Sequence, residues 1–281
     1  MRRAIAIAAV VFAAYAIGAA EAARSDIDMD GTGIAARSDT GAEATDVAAR
    51  SDTGVEATGI AACPDTGADA SAILRAATSL FPVEPVALYG SLIVRRQSGV
   101  IVREIPFAMS LDWGASPPVA EYTLMDSFGR TLSSARVTRS ASGATALECL
   151  DSEGKQVPAP PLTAQILGTD ITWLDITLAY LWWEDATLLA PETFKGSLCD
   201  VVEVRPPAPI EGCAAVRLWI DRKHAFLRQA EQLGPDGARV RWMWVASVGK
   251  IGGRWMIRNL EVKRPGTGFQ TKLHVDDLDT P

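Results

Sequence analysis

Histidine is scarce in this chain: His224 and His274 are the only two in 281 residues. Both fall on expected strands or turns and lack the spacing that gathers imidazoles around a metal, so no metal site is expected. The chain has no Gly-x-Ser-x-Gly elbow and no glycine-rich phosphate loop, the two commonest signatures of hydrolases and nucleotide binders. Asp112, Asp221 and Asp236 sit at expected strand ends and turns, where a solvated charge is the ordinary explanation. Without convergent acid, base and nucleophile, no catalytic residue, no cofactor and no enzymatic activity are expected.

Positive charge is not in excess either. The formal net charge is −7, and it is unevenly placed. Residues 23–69 hold three arginines and ten acids, whereas residues 70–281 hold 22 basic and 23 acidic side chains. The later part is close to neutral, and a basic face for nucleic acid is not expected. Its length suffices for one substantial core.

Membrane-length apolar runs are missing beyond the start of the chain. Arg2 and Arg3 precede an uncharged run from Ala4 to Ala19, and Ala20-Glu21-Ala22 provides small residues flanking a cleavage point. Residues 1–22 therefore read as a cleavable secretory signal peptide, which implies export, with an uncleaved membrane anchor as the alternative. A cysteine at the cleavage point is lacking, which argues against a lipid anchor there.

The next segment has no aromatic residue. AARSDIDMDGTGI, AARSDTGAEATDV, AARSDTGVEATGI and AACPDTGADASAI follow one another at a 13-residue period. Such a composition cannot bury enough apolar surface to offset its ordering entropy, so residues 23–69 are expected to be a disordered low-complexity linker. Asp-Thr-Gly at Asp39, Asp52 and Asp65 imitates aspartic proteases, but Ser or Pro precedes each Asp instead of a buried apolar strand. Asp26, Asp28, Asp30 and Gly31 open like a calcium loop, yet the position requiring a bidentate acid is Arg37.

Cysteine is limited to positions 63, 149, 199 and 213, which allow three pairings in an oxidising compartment. If 197–205 and 213–221 form a hairpin about Pro209, Cys199 lies near Trp219 and Cys213 near Arg205. That separation is roughly 20 Å along the ladder, beyond disulfide reach.

Residues 70–281 begin with a short helix over Ala70 to Ser79, and then the apolar period becomes two. Leu88, Gly90, Leu92 and Val94 form one alternation; Ile105, Phe107, Met109, Leu111 and Trp113 share a face. Turn signals at Gly114 to Pro118, Phe128-Gly129, Ser142-Gly143 and Glu153-Gly154 come at hairpin spacing. Val216, Leu218 and Ile220 continue the pattern. So do Val240, Trp242, Trp244 and Ala246, alternating with Arg241, Met243 and Ser247. Between the two strand runs lies ILGTDITWLDITLAYLWW (166–183). Thr172-Trp173-Leu174-Asp175 has capping-box spacing, and a helix over 172–183 is expected, apolar on both sides. About eleven residues after the cap are too few for the roughly 20 that span a bilayer. The segment is thus a core helix or a lid over the sheet.

The runs ILGTDITWLDI, FKGSLCDVVEV, VRLWIDRKHAFLRQAEQLGPDGARVR and GGRWMIRNLEVKRPGTGFQTKLHV resemble the outer-membrane lipoprotein-sorting protein family, in the wider group of the periplasmic lipoprotein carrier and its receptor. The likeness covers about residues 70–277. It implies a mainly β (α+β) fold, an unclosed, strongly curved antiparallel β-barrel of about 10–11 strands with helices covering the concave face. It also implies an apolar cavity for acyl chains of lipoproteins or another lipid, lined or covered by Trp173, Leu174, Leu178, Leu181, Trp182, Phe107, Met109, Trp242 and Trp244. Inner- or outer-membrane transport components are the protein partners it suggests. The family's basic residues governing lid closure have no motif by which to be placed here. The alternative is a sensor or scaffold of the same fold, with a packed interior and a protein partner.

Overall fold

The computed structural model describes residues 69–140 and 143–279. The expected signal peptide, nearly all of the repeat tract and Cys63 lie outside the described residues. The helix α1, Ala70–Thr78, starts where Asp69 accepts a hydrogen bond from the Ser71 backbone N–H at 3.1 Å. Its Ile73, Leu74 and Ala77, one helical face, are buried.

Thirteen strands follow, more than the ten or eleven expected. Six precede the central segment: β1 Val86–Arg96, β2 Ile101–Asp112, β3 Val119–Met125, β4 Thr131–Arg139, β5 Thr145–Leu150 and β6 Gln156–Val157. Seven come after it: β7 Asp185–Phe194, β8 Ser197–Arg205, β9 Ala215–Asp221, β10 Leu227–Leu233, β11 Arg239–Ile251, β12 Arg254–Lys263 and β13 Phe269–Asp279. The shortest, β6, has only two residues and pairs with β5 through Cys149–Val157 and Leu150–Gln156.

All belong to one antiparallel, unclosed sheet in the order β6-β5-β4-β3-β2-β1-β13-β12-β11-β10-β9-β8-β7. The first meander runs outward from the centre to one edge. The second starts at the other edge and runs back, so β1 and β13 pair at the centre. Residues 158–184 must therefore pass from one edge of the sheet to the other, and they do so over its apolar face. The edges are blunted in ways that discourage pairing with another chain. One edge strand has two residues; the other, β7, contains Pro191 within a register irregularity between Leu189 and Glu192.

Two expectations need correction. The β8–β9 register pairs Cys199 with Asp221 and Val204 with Val216, two residues away from the register centred on Pro209. The ladder is thus centred on Ile210, one residue beyond Pro209, and an Ile210–Cys213 bridge forms within the turn. Cys199 and Cys213 still lie at opposite ends of the ladder, and Cys149, Cys199 and Cys213 are free thiols.

The continuous helix over 172–183 is the second correction. α2 spans Trp173–Thr177, Leu178 turns left-handed (φ 48°, ψ 31°), and a 3-10 turn occupies Ala179–Trp182. Two causes meet here. Ile176 and Thr177 are β-branched, and the Thr177 hydroxyl donates back to the Trp173 carbonyl at 2.8 Å, both unfavourable for propagating a helix. Burial on every side then lets tertiary packing, not propensity, set the path.

Candidate functional site

The central segment is buried without interruption from Thr169 to Leu181. Its start is held by the expected capping box: Thr172 accepts from the Asp175 N–H, and the Asp175 carboxylate accepts from the Thr172 N–H at 2.8 Å. The sheet supplies further ties. Arg241 of β11 brings its Nε to 3.1 Å from Asp175 Oδ2 as a buried ion pair, and its other end bonds Gln232. Thr271 of β13 donates to the Asp170 carboxylate at 3.1 Å and accepts from the Asp170 N–H at 2.9 Å. Burial raises the Asp170 carboxyl above its ordinary value, against the pull of the Thr271 bond and of Arg264 and Arg241. The Tyr122 hydroxyl donates to the Ile176 carbonyl at 3.2 Å.

Arg139, at the end of β4, grips the far end of the segment. It is 4% exposed. Its guanidinium lies 3.3 Å from the Trp182 ring centre and 4.2 Å from that of Trp113, and Nη2 reaches the Thr177 carbonyl at 3.5 Å. Burial lowers this guanidinium to about 9. Phe81, Trp113 and Trp182 form one aromatic cluster beside it, with Trp113 and Trp182 stacked at 5.2 Å. Such contacts add attraction beyond area burial.

Under the bend at Leu178 lies an apolar cavity of about 30 Å³ between α1, the central segment and β10–β12. Ala77, Phe81, Leu181, Met243, Val245 and Leu260 contribute to its walls. Two further voids of about 10 Å³ each lie nearby. An apolar cavity of about 150 Å³ holds a benzene ring, and the one under the bend is several times smaller. The space beneath the segment is apolar, as the resemblance implies, and small.

The structure distributes the nine anticipated lining residues unequally. Trp173, Leu174, Leu178 and Leu181 are buried in the cover, and Phe107 and Met109 are buried on the inner face of β2. Trp182 is half-buried in the aromatic cluster. Trp242 and Trp244 border the cavities, but their side chains alternate away from the inner Arg241, Met243 and Val245. Their cross-strand neighbours are Glu231 and Lys263, and Gln229 and Glu261. Arg239 covers the Trp242 ring at 4.2 Å, and Lys195 and Lys263 approach Trp244 at 5.5 and 5.4 Å. Trp244 is nonetheless among the residues lining the void of about 30 Å³ and Trp242 among those lining one of about 10 Å³, and half-buried indole suits a position under cationic side chains. Sequence reasoning missed Arg139 and Arg241. The signal for Arg241 was its alternation with Met243, which two adjacent tryptophan positions outweighed.

Away from the cover, Asp221 at the end of β9 organises the β9–β10 turn. It accepts from Arg228 at 2.8 and 3.0 Å and from the His224 N–H at 2.9 Å. Burial alone would raise this carboxyl, but the Arg228 and His224 bonds and charges together hold it below the usual range. Among the described residues, no group of three or more His, Cys, Asp or Glu is placed to hold a metal.

Comparison with known proteins agrees at the level of fold. A family model described as that of an uncharacterized protein matches residues 154–280, somewhat under half the chain. Among curated proteins, none matches the sequence. A DUF1329 family protein from Desulfovibrio piger superposes with a TM-score of 0.64 at 14% identity, covering 75% of this chain and 91% of that one. A domain assigned to the outer membrane lipoprotein-sorting proteins, from Vibrio parahaemolyticus, gives 0.62 at 14% identity, covering 73% and 91%. A LolA superfamily protein from Nitrosomonas europaea gives 0.59 at 14% identity, covering 76% and 94%. The resemblance to lipoprotein-sorting proteins thus holds in the architecture, a curved open sheet with a covered inner face.

Proposed function

We propose that the chain is an exported, periplasmic binding protein that holds lipoprotein acyl chains or another lipid beneath residues 169–183, for sorting toward the outer membrane. We read residues 1–22 as its signal peptide and 23–69 as a linker. The observation that carries this reading is the cover itself. The apolar inner face is closed by a chain segment interrupted at Leu178, not by continuous helices, and a non-glycine residue in the left-handed region carries strain of about 1–2 kcal/mol. Arg241 holds that segment from the sheet at Asp175, before the bend, and Arg139 reaches both Thr177 before it and the Trp182 ring after it. Lifting it would expose Leu178, Leu181, Met243, Val245 and Leu260 as one apolar trough. A lipid tail gains about 0.8 kcal/mol per methylene on leaving water, so a long chain can replace the contacts the cover gives up.

The cavity of about 30 Å³ favours a second reading, a sensor or scaffold whose interior stays packed while its surface meets a protein partner. Native mass spectrometry of protein recovered from membranes separates the two. Carriage predicts an adduct of lipid mass, lost in Leu178→Asp, with the fold retained by circular dichroism. Adduct-free wild-type protein that also fails to take up a fluorescent fatty acid rejects carriage and leaves the scaffold reading.

A further inference from the structure

The β1–β2 hairpin runs past the body of the protein. Residues 96–104 are exposed on both faces of the ribbon, and within them Val100, Ile101 and Val102 are 59%, 60% and 51% exposed. Three consecutive aliphatic side chains in water are unfavourable unless something covers them. The neighbouring β12–β13 turn lies alongside, because β1 and β13 pair at the centre of the sheet. Arg96 pairs with Phe269, itself 38% exposed, and the Gln97 N–H donates to the Gly268 carbonyl at 3.1 Å. The two tips are therefore a single prong.

The prong is basic, although residues 70–281 as a whole are close to neutral. Residues 95–104 and 261–270 carry five basic side chains (Arg95, Arg96, Arg103, Lys263 and Arg264) and two acids, Glu104 and Glu261. Glu261 is already paired with Arg95. Arg103 donates to the Leu167 carbonyl at 2.6 Å, which ties the prong to the start of the central segment.

We propose that the paired tips form a docking surface for an anionic lipid bilayer, with Val100, Ile101, Val102 and Phe269 entering the headgroup region and Arg96, Lys263 and Arg264 meeting lipid phosphates. Apolar side chains flanked by cations are what an anionic interface recognises. A protein groove is the poorer fit, since four side chains on a narrow prong fall short of the roughly 800 Å² per partner of a stable protein interface. The surface stands on its own geometry, whatever the cavity holds.

The test uses the full chain with Cys63→Ser and Ile101→Cys, the new thiol carrying an environment-sensitive fluorophore; position 101 is exposed, so the fold should keep its melting temperature. Vesicles of phosphatidylglycerol and phosphatidylethanolamine should shift the emission to the blue, vesicles of phosphatidylcholine should not, and high salt should reverse the shift. Adding Arg96→Glu and Lys263→Glu should weaken the response at least about tenfold. An unchanged spectrum, an equal response to both vesicle types, or insensitivity to the charge reversals overturns the proposal. So does a blue shift that grows with protein concentration and needs no vesicles, which would make a second copy the occupant.

Discussion

At Asp175 one carboxylate serves two neighbours. It accepts from the Thr172 N–H and hydroxyl to start α2, and it faces Arg241 across the inner surface. Removing one member of a buried pair leaves the other uncompensated, at a cost of about 3–5 kcal/mol, while replacing both by apolar groups is often close to neutral. Asp175→Ala should therefore destabilise by about that amount in urea unfolding, and Asp175→Leu with Arg241→Met should recover more than half of it. Additive losses in the double variant would mean that the two charges do not act as a pair. The residue scale is also where sequence reading was weakest. The capping box was legible because both partners lie within four residues. Arg139 and Arg241 were not, because their partners are 38 and 66 positions distant and buried arginine has no local pattern.

At the scale of elements, the seam between β1 and β13 decides whether the sheet is continuous. Gly90 sits at its register shift, where an added Cβ would come within 2.0 Å of the His274 carbonyl and 2.8 Å of the Phe107 ring. Gly90→Ala should thus force the strands apart and destabilise by about 3 kcal/mol, within the usual range for overpacking. Its urea midpoint would show this, and a near-neutral result would mean that the seam is slack. The strands were largely readable, since period-two alternation reports which side is buried. On β11 that signal was ambiguous, because both alternating sets contain apolar residues: Met243 and Val245 are buried, and Trp242 and Trp244 are half-buried. The helix over 172–183 failed for a related reason. Its composition satisfied helical periodicity, but the cover must follow a curved surface, and the bend at Leu178 belongs to that surface.

For the molecule as a whole, the first and last strands meet at the centre of a 13-stranded sheet, and the segment joining its two edges becomes the cover. The fold thus spends its one long connection on its inner face. If residues 23–69 are a linker outside this arrangement, as proposed, deleting residues 23–68, which leaves the Asp69 cap of α1 in place, should move the melting temperature by less than about 2 °C. A larger drop in a calorimetric scan would show that the repeats belong to the folded unit.

The sequence by itself determined that the second part of the chain is an antiparallel β protein with one apolar segment in its middle, because alternation, turn residues and caps act within a few positions. It also carried the family likeness from which the open, curved architecture was expected. Tertiary structure alone decided the rest: which face of β11 looks inward, where the cover bends, and how little room lies beneath it. Those outcomes depend on packing between segments far apart in the chain, and a local pattern holds no record of the volume left between them.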